Sequence, residues 1–391
     1  MDSIRNEINS KAEFMFPELV KIRRHFHKYP ELSFQEVQTS KKIQDILSKL
    51  GIQYTTGWCK HGIVGKLEGM HPESKVIALR ADMDALPIIE TNDTDYKSAN
   101  QGIMHACGHD VHMTSLIGAL MILNEMRDQF EGTIKFIFQP AEEKLPGGAS
   151  ILIDEGVLRD PKPQLIIGQH VQPGMPVGQI GLSAGAFMAS CDEIYITIKG
   201  KGGHAAQAHL CVDPIYISSQ LISALQALIS REKPASIPSV LSFGNIRSIG
   251  GTTNIIPDEV KLEGTFRSLN EDWRKKMHER IREVCIGITS SFHASCEVDI
   301  QIGYPCLLND ANKTSDLVKQ AKSFLGDENV VHMEPRLTSE DFAYYTHQIP
   351  AVFYRLGVGE VSGVHTSSFD IDENAIKIAS GLMAYLAMKM E

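Results

Sequence analysis

The densest run of reactive side chains is His105-Ala106-Cys107-Gly108-His109-Asp110-Val111-His112, with three histidines, a thiol and a carboxylate in eight residues. Cys107 and His109 are separated only by Gly108, which is free to take a backbone angle that other residues avoid. An irregular turn of this kind can aim both side chains at one point. Thiolate and imidazole together suit zinc and its first-row neighbours. Taken singly, each residue also has a structural reading, as a buried free thiol or a surface histidine. The rest of the chain must supply further donors and a base.

It has suitable residue types at intervals: Asp82 and Asp84, Glu142 and Glu143, His170, and His365. Cys107, His109, Glu143, His170 and His365 make five donors, one more than a closed tetrahedral zinc needs. That count points to two divalent metal ions sharing a ligand, with open positions for water and substrate. Neighbouring side chains diverge, so one of the Glu142-Glu143 pair can bind metal while the other faces the activated water and shuttles its proton. We assign Glu143 as ligand and Glu142 as base; from sequence alone the reverse is chemically possible. Asp82, Asp84 and Asp110 are placed to accept the second ring N–H of a ligand histidine, which fixes its tautomer.

The elements that carry these groups alternate. Residues 1–50 read as two helices on apolar stripes, the first ending near Tyr29-Pro30 and the second at Gly51. Strands are expected at 62–69, 75–80, 132–138, 164–168 and 351–356, with helices at 113–126, after Gly147-Gly148, at 315–324 and at 375–390. The donors then fall in loops after strands, where open α/β sheets place their sites. Between them, residues 193–302 read β-α-β-β-α-β, the split βαβ unit. The expected fold is α/β: a three-layer αβα domain with a mostly parallel sheet, formed by 1–186 and 305–391, and an inserted ferredoxin-like α+β domain over 187–304.

The inserted segment carries Gly200-Lys201-Gly202-Gly203-His204, which lacks both the Gly-Lys-Ser/Thr ending of a phosphate loop and the dinucleotide fingerprint. His204 on such a loop could reach a developing oxyanion, as could Asn254, and Arg267 could clamp a substrate carboxylate. With 391 residues and a net charge of −10, the chain has no basic footprint for nucleic acid. No run approaches a membrane span. The seven scattered cysteines contain no C-x-x-C pair, and the first residues have no apolar signal core; a cytoplasmic enzyme is expected.

Collected, the motifs resemble those of the M20 family of metal-dependent amidohydrolases and peptidases, most closely the branch of hippurate hydrolases and N-acyl amino acid hydrolases. The resemblance rests on Arg23-Arg24-x-x-His27-x-x-Pro30-Glu31-Leu32, Asp82-Met83-Asp84-Ala85-Leu86-Pro87, residues 105–112, Gln139-Pro140-Ala141-Glu142-Glu143, residues 200–204, Asn254-Ile255-Ile256-Pro257 and His365-x-x-x-Phe369. It implies a two-metal catalytic domain, with Cys107 where related peptidases use a bridging Asp. It also implies a lid domain that mediates a homodimer, in which His204 often completes the partner subunit's site. Lys144 and Ala208 stand where many relatives have Gly and Pro. The expected reaction is hydrolysis of the amide of a small N-acyl amino acid, hippurate-like or N-acetyl, using two ions of Zn, Mn, Co or Ni. A short-peptide peptidase or a deacetylase of the N-acetyl-diaminopimelate type is the nearest alternative. A metal-dependent binding protein is the non-enzymatic one.

Overall fold

A computed structural model describes residues 2–391. The chain forms two compact units, one of Met1–Gly185, Leu308–Glu334 and Asp341–Glu391 and the other of Ala186–Leu307 and Pro335–Glu340.

The large unit is built on an eight-stranded sheet. Its centre is parallel: Thr133–Gln139, Val76–Asp82, Leu165–Gln172 and Ala351–Gly357 lie side by side in that order. These strands read as continuous apolar runs because both faces are covered. Ile77, Leu79, Phe136, Leu165 and Ile167 join the core of the long helices Asp2–Lys28, His109–Glu125 and Asn374–Lys389. The short helices Gly148–Asp154 and Ala343–Thr346 pack together and against the strands Thr133–Gln139 and Ala351–Gly357. His109–Glu125 is buried almost all round, as expected of a helix lacking a polar face. A β-carbon at Gly118 would lie 2.2 Å from Ser380 Oγ, so glycine lets this helix approach Asn374–Lys389 closely.

The small unit is a four-stranded antiparallel sheet in the order Ser239–Ile249, Glu259–Ser268, Ser190–Lys199, Ser295–Ile302. Along Ser190–Lys199, Ile194, Ile196 and Ile198 point into the core while Glu193 and Lys199 are exposed, the alternation of a sheet covered on one face. Its helices Pro214–Ala227 and Glu271–Ser291 supply Leu221, Leu225, Trp273, Met277 and Ile281 to that core. Asp213 caps the first helix through the Ile215 amide, with proline at the first position, and Asn270 caps the second through the Trp273 amide. This strand–helix order is the ferredoxin-like one.

Several elements differ from the sequence expectation, among them the strands Ile180–Leu182 and Val330–His332, which it does not contain. Gln53–Trp58, to which the hydropathy pattern assigns nothing, is an edge strand; it is mostly exposed, so no apolar alternation marks it. The helix predicted from 113 begins at His109, because its first turn buries His109, Asp110 and His112. His170 lies inside the strand Leu165–Gln172, not after it; the buried strand continues through Gln169 and His170, polar types that hide it from a hydropathy reading. Among the described residues, no helix is long and apolar enough to cross a membrane.

Candidate metal centre

The five predicted donors converge in the large unit. Cys107, His109 and His170 have ligand atoms within 4.8 Å of one another, as do Cys107, Glu143 and His365. The two triads share Cys107, whose Sγ lies 3.3 Å from both His170 Nε2 and His365 Nε2. Glu143 Oε1 is 3.3 Å from His365 Nε2 and 4.0 Å from His109 Nε2. His109 Nε2 and Glu143 Oε1 are buried and have no hydrogen-bond partner. Buried polar atoms without partners are costly, and a cation between them would satisfy both. The donor set, one thiol, three imidazoles and a carboxylate, fits a pair of borderline-soft divalent ions.

Local backbone geometry aims these groups. Gly108 adopts φ +83°, and a β-carbon there would meet Val171 Cγ2 at 2.6 Å, so the turn from Cys107 into the helix requires glycine. Ala141 and His365 take left-handed angles, φ +57° and +61°, that a side chain disfavours. The amide of His365 donates to Ala106 O at 2.7 Å, tying the last donor to the cysteine turn. His109 and His170 each direct Nδ1 to a main-chain carbonyl, Asp84 O at 2.9 Å and Val171 O at 2.8 Å, which leaves Nε2 of each for metal.

The predicted acidic partners are deeply buried and hold other groups in place. Asp82 accepts from Arg80 at 2.5 Å and pairs with His112 Nδ1 at 2.6 Å, while His112 Nε2 accepts the Val171 amide at 3.0 Å. His112 thus props the strand end beside His170. Asp84 receives the amides of Glu142 and Glu143 at 3.0 and 2.9 Å and the Ser33 hydroxyl at 2.6 Å. Asp110 is bound by Arg23 and His27 at 2.9 and 2.8 Å. Arg80 also donates to Asp341, which binds both Gln139 and the Ala149 amide. Asp341's own amide reaches Glu142 Oε1 at 3.4 Å, and Glu142 Oε2 lies 4.0 Å from His109 Nε2.

The electrostatics favour positive charge at the centre. Burial would lower the His109 pKa, but Asp82, Asp84 and Glu143 outweigh it and push it up to about 10. Burial and the charges of Glu143 and Glu142 hold the Cys107 thiol well above its ordinary range. A divalent cation reverses that preference, because it stabilises the thiolate directly. His170 is pushed far down by burial and by Arg355, so it presents a neutral imidazole. Burial would raise Asp82; His109, His112 and Arg80 keep it well below the usual carboxylate range.

The predicted substrate contacts lie on the small unit. His204 pairs with Ile255 in a two-stranded ribbon, and the Ala205 amide donates to Asn254 O at 3.0 Å, so His204 and Asn254 are neighbours. Arg267 is apart from them, donating to Leu337 O and Ser339 Oγ at 3.2 and 3.3 Å. It sits eight residues along the strand from Glu259, about 26 Å at ~3.3 Å per residue. Sequence reasoning assigned no role to Glu36, Ser33, Arg80 or Asp341, and Gln139 entered only as part of the Gln139-Pro140-Ala141-Glu142-Glu143 motif. Only the acidic residue six places after Pro30 and the arginine two places before Asp82 were available as signals.

A parallel α/β unit whose sheet edge carries two donor triads, one S/N/N and one S/N/O, sharing one thiol defines a dinuclear type of metallohydrolase. Comparison with known proteins agrees: the chain belongs to peptidase family M20/M25/M40, whose family model matches residues 78–389. It is 39% identical over 371 residues to N-acetylcysteine deacetylase of Bacillus subtilis (strain 168), covering 95% of this chain and 96% of that one. It is 36% identical to thermostable carboxypeptidase 2 of Saccharolobus solfataricus, over 100% and 98% of the two chains. Among solved structures it resembles the Bacillus subtilis YXEP protein, described as a dinuclear metal binding peptidase of the M20 family. That match has a TM-score of 0.85 and 37% identity over 96% and 98% of the chains.

Proposed function

We propose that this enzyme hydrolyses the amide bond of N-acyl amino acids, N-acetyl or hippurate-like, with Glu142 as general base. The observation that carries the reading is the pair of donor triads sharing Cys107 with the carboxylate of Glu142 beside them. The likeness to an N-acetylcysteine deacetylase over nearly the whole chain supports the substrate class. Cys107, His109, Glu143, His170 and His365 would hold two divalent ions of the Zn, Mn, Co or Ni type. When bound, such ions polarise a carbonyl and bring the pKa of water toward neutrality.

The remaining chemistry belongs to the side chains. Glu142 takes the proton from the attacking water and returns it to the leaving amine. The Asp341 amide and the clasp on the Glu142 main chain keep that carboxylate in place. Asp82 and Asp84 are positioning groups, engaged with His112, Arg80 and the Glu142-Glu143 amides rather than with substrate. His204 and Asn254 supply oxyanion contacts, and Arg267 holds the substrate carboxylate.

The inserted unit acts as lid and homodimer interface in this reading. Its edge strand Ser239–Ile249 exposes Ile246 and Ile249, an unpaired edge of the kind a second copy can cover. The chain enters and leaves that unit at the Arg267 end, where Ala189 and Cys191 bond to Arg336 and Tyr304. His204 lies toward the opposite end of that unit, where Gly200 and Gly202 bond to Asp258.

The test is a hydrolysis screen of metal-reconstituted protein against N-acyl amino acids, N-acetyl-diaminopimelate and dipeptides. Turnover of N-acyl amino acids is expected, and turnover of dipeptides alone would replace the proposal with a peptidase, as the carboxypeptidase relative suggests. In Glu142→Ala, metal is retained and the rate falls by about 10²–10⁴-fold. An unchanged rate removes Glu142 from the mechanism.

A further inference from the structure

We infer that Glu36 is a positioning residue of the hydrolytic centre, whose hydrogen bond to the Ala141 amide holds the left-handed turn that carries Glu142 and Glu143 to His109. The inference rests on the reading of Glu142 as base.

Glu36 occupies the position that precedes the helix Val37–Lys49, where a side chain normally caps its own helix. It makes no such cap. Glu31 does that work instead, accepting the Gln38 and Thr39 amides at 3.1 and 2.8 Å. Glu36 is turned inward and is 0% exposed. Its Oε1 accepts the Ala141 amide at 2.8 Å, and its Oε2 has no hydrogen-bond partner. Helix capping therefore does not account for this buried carboxyl, and its one long-range bond goes to the turn that carries the base.

That turn needs support. Ala141 bears a β-carbon at φ +57°, a conformation that L residues disfavour. The reversed peptide points three successive amides, 141 to 143, toward buried carboxylates. The first goes to Glu36 and the next two to Asp84. A concave run of amides of this sort binds negative oxygen well. Asp84 also touches His109 and cannot be altered without disturbing a donor. Glu36 contacts none of the five donors in any hydrogen bond or ion pair described, so its contribution can be separated from metal binding.

The experiment compares Glu36→Gln and Glu36→Met in otherwise complete protein. Glutamine keeps an acceptor for the Ala141 amide; methionine keeps the length and removes the acceptor. Glu36→Met is expected to lower kcat about 10- to 100-fold, with KM and the two-metal content of wild type. Amide hydrogen exchange over residues 139–143 of its metal-free form should be faster. Glu36→Gln should match wild type in all four readouts. Wild-type kcat in Glu36→Met, a loss of bound metal accompanying its defect, or Glu36→Gln as slow as Glu36→Met would each overturn the inference. Should Glu36→Met not fold, Glu36→Gln decides alone: wild-type kcat and exchange support the assignment, and a slow enzyme refutes it. If wild type hydrolyses none of the substrates, the functional reading has failed, and the exchange comparison still judges the role of Glu36.

Discussion

Each unit contains a buried carboxylate bound by an arginine and by histidine, and the two clusters have opposite outcomes. In the small unit Asp192 accepts from Arg274 Nε and Nη2 at 2.9 and 2.5 Å, from the Gly303 amide at 3.2 Å, and pairs with His278 Nε2 at 2.7 Å. Both its oxygens are engaged, and Arg274 also binds Glu271 and Gly303 O. In the large unit Asp82 has the matching partners Arg80 and His112, but next to it His109 Nε2 and Glu143 Oε1 lack partners. A carboxylate–arginine–histidine cluster is therefore no sign of function in itself. What separates the two is whether the donors are exhausted. Asp192 ties a strand to a helix, whereas the Asp82 cluster stops short and leaves donors facing a buried thiol.

The largest effect should come from removing the donor that only the open cluster has. Cys107 belongs to both triads, so Cys107→Ala should abolish binding of the second ion and weaken the first. Activity is expected to fall by on the order of 10³-fold or more, several kcal/mol of transition-state stabilisation. Metal analysis of the purified variant checks it; two ions retained would break the distinction.

The closed cluster should respond in stability instead. Asp192→Ala leaves Arg274 buried with its main partner gone and should cost about 3 kcal/mol in denaturant unfolding. Metal content should not change. The pH dependence has a definite sign. Burial would raise the Asp192 pKa, but Arg274 and His278 hold it below its ordinary value. Its contribution is thus complete above the unfolded-state pKa near ~3.9 and is lost as pH falls below it. The stability gap between wild type and Asp192→Asn should be constant above about pH 5 and narrow in more acid solution. A gap that widened on acidification would reverse the assignment.

The smallest effect tests the hinge between the clusters' two behaviours. His112 resembles His278 in pairing with an aspartate, yet it also accepts the Val171 amide beside His170. His112→Phe should lower metal affinity by about 10- to 100-fold, as removal of a ligand's support does, with a modest change in melting temperature. Titration of the metal-free protein with zinc reads this directly. An affinity equal to wild type would make His112 a purely structural residue like His278.

Much of the site and fold is legible in the sequence. Residue type and spacing singled out Cys107, His109, Glu142, Glu143, His170 and His365, because thiols, imidazoles and paired acids near predicted strand ends have few other uses. Alternation of apolar runs with period 2 and 3.6 set out the parallel sheet and the antiparallel insert, since burial on one or two faces writes itself into hydropathy. Polar residues in buried elements were less visible: Gln169 and His170 continue a strand, and His109 opens a helix, against the apolar pattern that normally marks such positions.

The division between the two kinds of information is physical. Sequence by itself determined which chemistry was available and which elements would carry it, because both depend on local composition. Only the tertiary structure decided that Cys107 stands between His170 and His365, residues 63 and 258 positions away. The same holds for Glu36, which reaches across 105 residues to the Ala141 amide. It holds too for the contrast between Asp82 and Asp192, which depends on whether neighbouring donors are left unpaired. Such contacts are set by how strands and helices from distant parts of the chain pack, and no local pattern records them.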